Sequence, residues 1–269
     1  MQSALDPSAV PTIDCLMVTL PVPQRYDLAR RSIEDYCRQT YAKKKLLIVI
    51  DAAAVDAARQ ALHDYVASLK RDDIEVIVPD RLLNLGELRN LSVEHATGDI
   101  VCQWDDDDRS HPQRLEFQAA HLMKTGLGAV FLQDVMQFFP AANALYWTNW
   151  RATPVGGHPG TLMARRSEML RYPTQGDTAR LGEDTTLASA LRERGCLGYL
   201  PDMAHLFVYV SHGANSWDAA HHAMLSNELA ISKGLLKRRE SAIRAGLAPY
   251  NFEPGRVAVS GAGGAAFTL

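Results

Sequence analysis

The sequence predicts an α/β protein. A mostly parallel central sheet flanked by helices is expected in the first half of the chain, and a smaller mixed or antiparallel sheet in the second. Three observations carry this. Apolar, β-rich runs alternate with helical patterns from Ile13 to Trp104, the order that produces parallel strands joined by right-handed crossovers. The run 46–50 is apolar at every position, as in a strand buried on both faces. After Lys124 the alternation stops, and longer β-rich stretches meet at turn-type residues.

The elements follow in order. Residues 13–20 form an apolar run that ends at Pro21 and Pro23, the first strand. Over 24–40, Leu28, Ile33, Tyr36 and Cys37 fall near one helical stripe. The second strand, 46–50, ends at Asp51. An Ala-rich helix is expected over 55–69, a third strand over 74–78, a helix over 85–96 closed by Gly98, and a fourth strand over 99–104. A helix near 112–124 leads to residues 129–139 and 144–150, which read as one long hairpin across Pro140-Ala-Ala-Asn143. A short strand over 161–164, a helix over 183–194 closed by Gly195, and a strand over 206–210 complete the second half. A helical region is expected from 218 to 246. The small, patternless residues from Gly261 onward read as a flexible tail. The expected organisation is one domain whose halves are 11–125 and 126–217, then a helical extension, 218–250, and a tail, 251–269.

Composition narrows the function classes. A chain of 269 residues with 47% hydrophobic content has enough apolar surface for a core. The net charge of -3 gives no general attraction to nucleic acid or anionic lipid, and no basic-aromatic stripe suggests nucleic-acid binding. No apolar stretch reaches bilayer length. The opening residues, Met1 to Pro7, lack a basic segment followed by an apolar one. Cys15, Cys37, Cys102 and Cys196 are widely spaced, with no Cys-x-x-Cys pair. A cytoplasmic location is the expectation.

Four consecutive aspartates, Asp105 to Asp108, directly follow the fourth strand. Unit charges about 4 Å apart repel by roughly 4 kcal/mol at an effective dielectric near 20. Such a cluster either stays in water, capping the next helix, or holds a cation. The carboxyl end of a parallel strand is where open α/β sheets bind ligands, so a hard divalent cation shared with substrate phosphates is the functional reading. A second acidic group, Glu183-Asp184, opens a helix. Carboxylates there are favourable by about 0.3–1 kcal/mol, so a helix cap and a catalytic pair both remain open. Arg25 and Arg89 suit phosphate or carboxylate, or surface ion pairs. Trp147, Trp150 and Trp217 suit sugar stacking, the first two equally a hairpin core. The basic stretch 233–244 fits a solvated helix face or a membrane-surface contact that brings the enzyme to a lipid-linked acceptor.

Taken in order, these pieces resemble the inverting glycosyltransferases of family 2. The resemblance covers residues 13–217. It rests on Gln39-Thr-Tyr41, Leu47-Ile-Val-Ile-Asp51, Asn84-Leu-Gly86 with Arg89-Asn90, Gly98-Asp-Ile100 leading to Asp105-Asp-Asp107 as the DxD motif, Pro112 with Leu115, Gly160-Thr-Leu-Met-Ala-Arg165, and Gly182-Glu-Asp184 with Leu187. There are departures. Asp51 is followed by Ala52-Ala-Ala54 where the family often has a second carboxylate that touches the base. The loop Leu20-Pro-Val-Pro-Gln-Arg25 differs from the usual one. The Gln-x-x-Arg-Trp motif of processive synthases is absent.

The resemblance implies a GT-A fold with a Rossmann-like sheet, a nucleotide-sugar donor (UDP-linked most commonly), a Mn²⁺ or Mg²⁺ ion, and a glycan or lipid-linked acceptor. It implies Asp107 as metal ligand with His212 completing the site, and Asp105 and Asp106 orienting ribose, sugar or metal-bound water. Thr19, Asp51, Asn84 and Arg89 fall on the donor side, and Trp217 on the acceptor side. Asp184 is implied as the general base beside Glu183, whose charge raises its pKa. Residues 138–160 and 174–181 are the expected specificity elements, and Thr174-Gln-Gly-Asp-Thr178 within the second is expected to be a lid that orders on donor binding. A sugar-phosphate nucleotidyltransferase is the alternative enzyme, although the Gly-rich loop usual after its first strand is missing. A non-catalytic carbohydrate- or metal-binding domain is the alternative outside enzymes.

Overall fold

Strands β1 (Ile13–Thr19), β2 (Lys44–Ile50), β3 (Ile74–Ile77) and β4 (Ile100–Gln103) lie side by side and parallel. This is a computed structural model that describes residues 10–23 and 25–269. Met1 to Pro7, read above for a signal, and Gln24, first residue of the expected helix 24–40, lie outside the described residues. Helices α1 (Tyr26–Cys37), α2 (Asp56–Ser68) and α3 (Leu85–His95) make the crossovers. The all-apolar stretch from Leu46 to Ile50 is fully buried, because helices or loops cover both faces of the sheet. Asn84 sets the start of α3: its side chain accepts the Glu87 N–H at 3.0 Å, and the Glu87 carboxylate accepts the Asn84 N–H at 2.9 Å.

The central sheet has seven strands, in the order β10-β6-β9-β4-β1-β2-β3. Helix α4 (Arg114–Thr125) leads to β6 (Ala129–Leu132), and β9 (Met163–Arg165) lies antiparallel between β4 and β6. Helix α5 (Glu183–Glu193) precedes β10 (Leu197–Leu200). That edge strand was not expected from the sequence, since it is short and contains Gly198.

The second sheet has six strands, in the order β13-β12-β8-β7-β11-β5. These are β5 (Arg109–Ser110), β7 (Asp134–Phe139), β8 (Ala144–Asn149), β11 (Phe207–Val210), β12 (Ala258–Gly261) and β13 (Gly264–Thr268). Here the structure corrects two expectations. Residues 129–139 are not one strand. The chain changes sheets at Gln133, whose N–H donates to Leu200 O in the central sheet and whose carbonyl accepts the Trp150 N–H from the second. Only the second part, β7, forms the expected hairpin with β8. Nor are the final residues a featureless tail. Strand β12 runs parallel to β8 and antiparallel to β13. The small residues are a packing requirement: a Cβ on Gly261 would lie 2.2 Å from Ile231 O.

The helical region after residue 218 divides into α6 (Ala219–Leu229), α7 (Lys233–Arg238) and α8 (Glu240–Leu247). The break occurs where Ala230 bridges to Thr148 and Ser232 to Ala262. Leu236, Ile243 and Leu247 are buried in one cluster with Val208 and Val259 of the second sheet. Leu236 and Ile243 of the basic stretch therefore face the core, while Leu235 is half-buried. Among the described residues no helix is long and apolar enough to cross a membrane. The largest core cluster joins both sheets: Ile13, Met17, Ile48 and Trp104 with Val135, Leu206 and Phe207.

Candidate active site

The carboxyl end of β4, the N-terminus of α5 and the loop after β11 meet at a cavity of about 430 Å³. Asp105 to Asp108, Arg25, Arg89, Glu183, Asp184 and Trp217 all line it. Two residue groups about 75 positions apart in sequence are thus brought to one place, at the strand ends where α/β sheets bind ligands.

Each aspartate has its own partners. Asp105 accepts from Gln103 Nε2 at 3.0 Å and from Arg89 Nη1 at 3.2 Å. Asp106 accepts the Thr19 hydroxyl at 2.6 Å and Arg25 Nη2 at 2.6 Å. Asp107 takes Arg25 Nη2 at 3.0 Å and His212 Nε2 at 3.0 Å. Asp108 is a buried structural group whose Oδ1 accepts the Val210 N–H at 2.8 Å, which ties the acidic turn to β11.

Burial and mutual repulsion set the protonation of these groups. Burial, then Asp107, pushes Asp106 up to about 6. Burial and the same neighbour raise Asp108 well above the ordinary carboxylate range. Asp107 goes the other way: burial works against its charge, but the His212 hydrogen bond and Arg25 outweigh it. It is the aspartate most firmly held as an anion.

Arg89 joins the two acidic groups. Its Nε donates to Glu183 Oε1 at 2.7 Å while its Nη atoms reach Asp105. Burial opposes its charge, but Asp105 and Glu183 raise its pKa well above the usual value. Glu183 is therefore a buried, ion-paired carboxylate that fixes the start of α5. Asp184 is different. It has no cation within ion-pair distance among the described residues, and its Oδ1 accepts the Thr185 N–H at 2.6 Å. Burial, then Glu183, raises it to about 6, the range suited to a general base.

The remaining expected residues separate clearly. Thr19 sits beneath the cavity and holds Asp106. Asn84 does not line the cavity; it caps α3 and donates to Thr174 O at 3.0 Å. Asp51 lies outside the cavity lining, its Oδ1 accepting the Ala53 N–H at 2.9 Å. Trp217 is exposed at the rim and stacks on His221 with centroids 4.4 Å apart. Trp147 and Trp150 are core residues, though Trp150 also touches the cavity.

His158 is a cavity residue that sequence reasoning missed. Its ring is 4.6 Å from Trp150, 4.8 Å from Tyr209 and 5.5 Å from Phe207. Its buried Nδ1 has no hydrogen-bond partner among the described residues, and leaving such a group unpaired costs about 1–3 kcal/mol. Burial, then Arg114, lowers its pKa to about 3, so it is neutral. Gly160 leaves open the space beside it: a Cβ there would meet Asp105 Oδ2 at 3.0 Å and His158 Nδ1 at 3.3 Å. A histidine before Pro159-Gly160 was the only sequence signal, and nothing in its spacing linked it to the acidic groups.

A divalent cation can be tested against this donor set. Among the described residues no three His, Cys, Asp or Glu side chains cluster as a complete metal cage. A hard cation can also be bound through one or two carboxylates and completed by substrate phosphates, a role for which Asp107 is the candidate. His212 fits less directly. Its Nδ1 accepts the Ala214 N–H at 3.2 Å, which leaves the proton on Nε2, donated to Asp107.

The two-sheet α/β architecture is the GT-A fold. The model of the family "Glycosyl transferase family 2" matches residues 17–180. The chain belongs to that family. It is 38% identical over 93 residues to EpsE of Bacillus subtilis (strain 168), named as a provisional glycosyltransferase. It is 30% identical over 106 residues to WcaA of Escherichia coli (strain K12), named as a provisional colanic acid biosynthesis glycosyl transferase. The matches cover 35% and 39% of this chain but only 33% and 37% of those relatives. Among solved structures it is similar in fold to the mannosyltransferase PcManGT from Pyrobaculum calidifontis in complex with GDP-Man and Mn²⁺, with a TM-score of 0.58 and 18% identity over 90% of this chain and 66% of that one. It is also similar to S. aureus TarS 1-349 in complex with UDP-GlcNAc, with a TM-score of 0.56 and 14% identity over 90% of this chain and 68% of that one.

Proposed function

We propose that this enzyme transfers a sugar from a nucleotide-sugar donor to an acceptor hydroxyl with inversion, in glycan or polysaccharide biosynthesis. The observation that carries the reading is the single cavity in which Asp105 to Asp107 face Glu183-Asp184, with Arg25 and Arg89 between or beside them. One end suits a diphosphate and a cation, the other an incoming hydroxyl.

Asp107 would hold Mn²⁺ or Mg²⁺, and such an ion supplies Lewis-acid stabilisation to a departing diphosphate. His212 orients Asp107 through Nε2, and that nitrogen could serve as a metal ligand only in the tautomer that carries the ring proton on Nδ1. Arg25, now on Asp106 and Asp107, is placed to turn to phosphate oxygens once that charge is balanced by a cation. Asp105, held by Gln103 and Arg89, and His158 beside it flank the gap at Gly160 and would orient donor hydroxyls. Asp184 takes the proton from the acceptor hydroxyl as it attacks the anomeric carbon opposite the leaving group, which gives inversion in one displacement. Trp217 offers the acceptor an aromatic face at the rim.

A thermal-shift panel of UDP, GDP, CDP and dTDP and their sugars, each with Mn²⁺, Mg²⁺ or EDTA, tests the donor half. Ligand at about 100 times its dissociation constant stabilises by about 2.7 kcal/mol. The expected result is a metal-dependent shift with one nucleotide series, UDP first. No shift with any nucleotide refutes the donor assignment.

A further inference from the structure

A second cavity, of about 270 Å³, lies on the other face of the second sheet. The alternation of β11 shows this directly: Tyr209 lines the catalytic cavity, whereas Val208 and Val210 line the second one. A molecule held there does not reach Asp184 or the DxD carboxylates.

One wall of this cavity is aromatic. Phe138 and Phe252 meet edge to face with centroids 5.1 Å apart, and Tyr250 lies 6.0 Å from Phe252. The rim is cationic, from Arg31, Arg109 and Arg256, with Glu253 the one carboxylate in the lining. Two of the arginines are already engaged. Arg109 grips Asp35 through Nε at 2.7 Å and Nη2 at 3.1 Å and lies over the Tyr250 ring, and Arg256 pairs with Glu253 at 2.7 Å.

Arg31 is not engaged. Among the described residues no carboxylate lies within ion-pair distance of it. Asp35, one turn on, is taken by Arg109 and Arg38, and Glu34 and Asp27 lie near Arg30. Asn143 and Asn251 add amides to the lining, both on backbone held at positive φ, 47° and 54°.

We propose that this cavity binds an acidic saccharide unit, a sugar ring carrying a carboxylate or a phosphate, at a site separate from the catalytic one. An aromatic wall takes the apolar face of a pyranose. A guanidinium takes a carboxylate or phosphate through paired hydrogen bonds, and Arg31 has its donors free for that role. The two asparagine amides suit ring hydroxyls, since each both donates and accepts. At about 270 Å³ the cavity is slightly smaller than the roughly 300 Å³ at which ligand pockets usually begin, which limits the occupant to about one sugar residue.

Isothermal titration of the full chain with glucuronate, glucose 6-phosphate, glucose and inorganic phosphate tests this. One of the acidic sugars is expected to bind more tightly than both glucose and phosphate; which one distinguishes carboxylate from phosphate. Arg31→Ala should weaken it about tenfold and Arg31→Lys less, because charge survives but the fork does not. Arg25→Ala, in the catalytic cavity, should leave binding unchanged. Arg31 is exposed, and a melting curve for each variant confirms folding. The proposal is overturned if neither acidic sugar binds, or if Arg25→Ala abolishes binding while Arg31→Ala does not. It is also overturned if phosphate alone binds as tightly as glucose 6-phosphate, which marks an adventitious anion site.

Discussion

At the level of single residues, the division of labour within each acidic group follows from its partners. Glu183 and Asp184 are adjacent, yet one is neutralised by Arg89 and the other is left with a pKa near 6. Because burial and Glu183 raise Asp184, its charged form is costly in the folded protein. The sign follows: the contribution of Asp184 to stability is complete below its unfolded value of 3.8 and is lost as pH rises through about 6. Asp184→Asn should therefore be more stable than the parent at neutral pH, by about 1 kcal/mol after solvent screening, and equal to it below the unfolded pKa. The same substitution should abolish transfer while donor binding persists. In the parent, kcat/KM should fall about tenfold per pH unit below the folded pKa. A melting curve at two pH values, a donor titration and a pH profile check the three statements; full activity in the variant removes Asp184 from the base role. His158 offers a second test. His158→Phe keeps the aromatic packing around Trp150 and Tyr209 but deletes the orphaned Nδ1. Stability should hold or rise, and kcat/KM should drop about tenfold or more if that nitrogen meets a donor hydroxyl. Unchanged kinetics would assign the ring to packing alone.

At the level of elements, what was legible depended on how local the determinant is. The β-α alternation through β4 is written in apolar runs and caps of neighbouring residues, and it appears nearly where the pattern places it. Gln133 was not legible as a sheet switch, because its backbone bonds go to Leu200 and Trp150, both distant in sequence. The β12–β13 hairpin was hidden for the opposite reason: glycine and alanine carry no β signal, and their value lies in letting Ile231 approach. The segment from Thr174 to Thr178 is the element for which motion is proposed. Residues 174–178 are exposed, Gly176 and Gly182 both have positive φ, and Leu181 and Gly182 reach the cavity. Residues 174–178 can move without disturbing a core, whereas Ala179 just beyond them is buried and anchors the segment. Limited proteolysis should cut within 174–178 in the free protein, and nucleotide with Mn²⁺ should slow that cut. Equal cleavage with and without a nucleotide shown to bind would rule out the lid.

At the level of the whole molecule, the candidate site was readable as two separate acidic signals but not as one charge network. Asp105 and Glu183 each look like ordinary acidic positions; that both use Arg89 is a property of the assembled fold. The same holds for the core. The expected halves, 11–125 and 126–217, are not independent in packing, because Ile13, Met17 and Trp104 share a cluster with Val135, Leu206 and Phe207. In addition, β9, from the second half, pairs with β4 from the first. Removing residues 126 onward would expose the β4 edge and the apolar side chains beneath it, leaving a surface prone to strand pairing between molecules. The chain should accordingly unfold in one cooperative transition rather than two. The tryptophans make this measurable. Trp104 lies at the end of the central sheet, Trp147 and Trp150 in and just beyond β8, and all three are buried. Denaturation followed by tryptophan fluorescence and by far-UV circular dichroism should give coincident midpoints, and a fragment ending at residue 125 should not fold. Two separated transitions, or a folded fragment, would show that the halves hold separate cores and that the shared cluster contributes little.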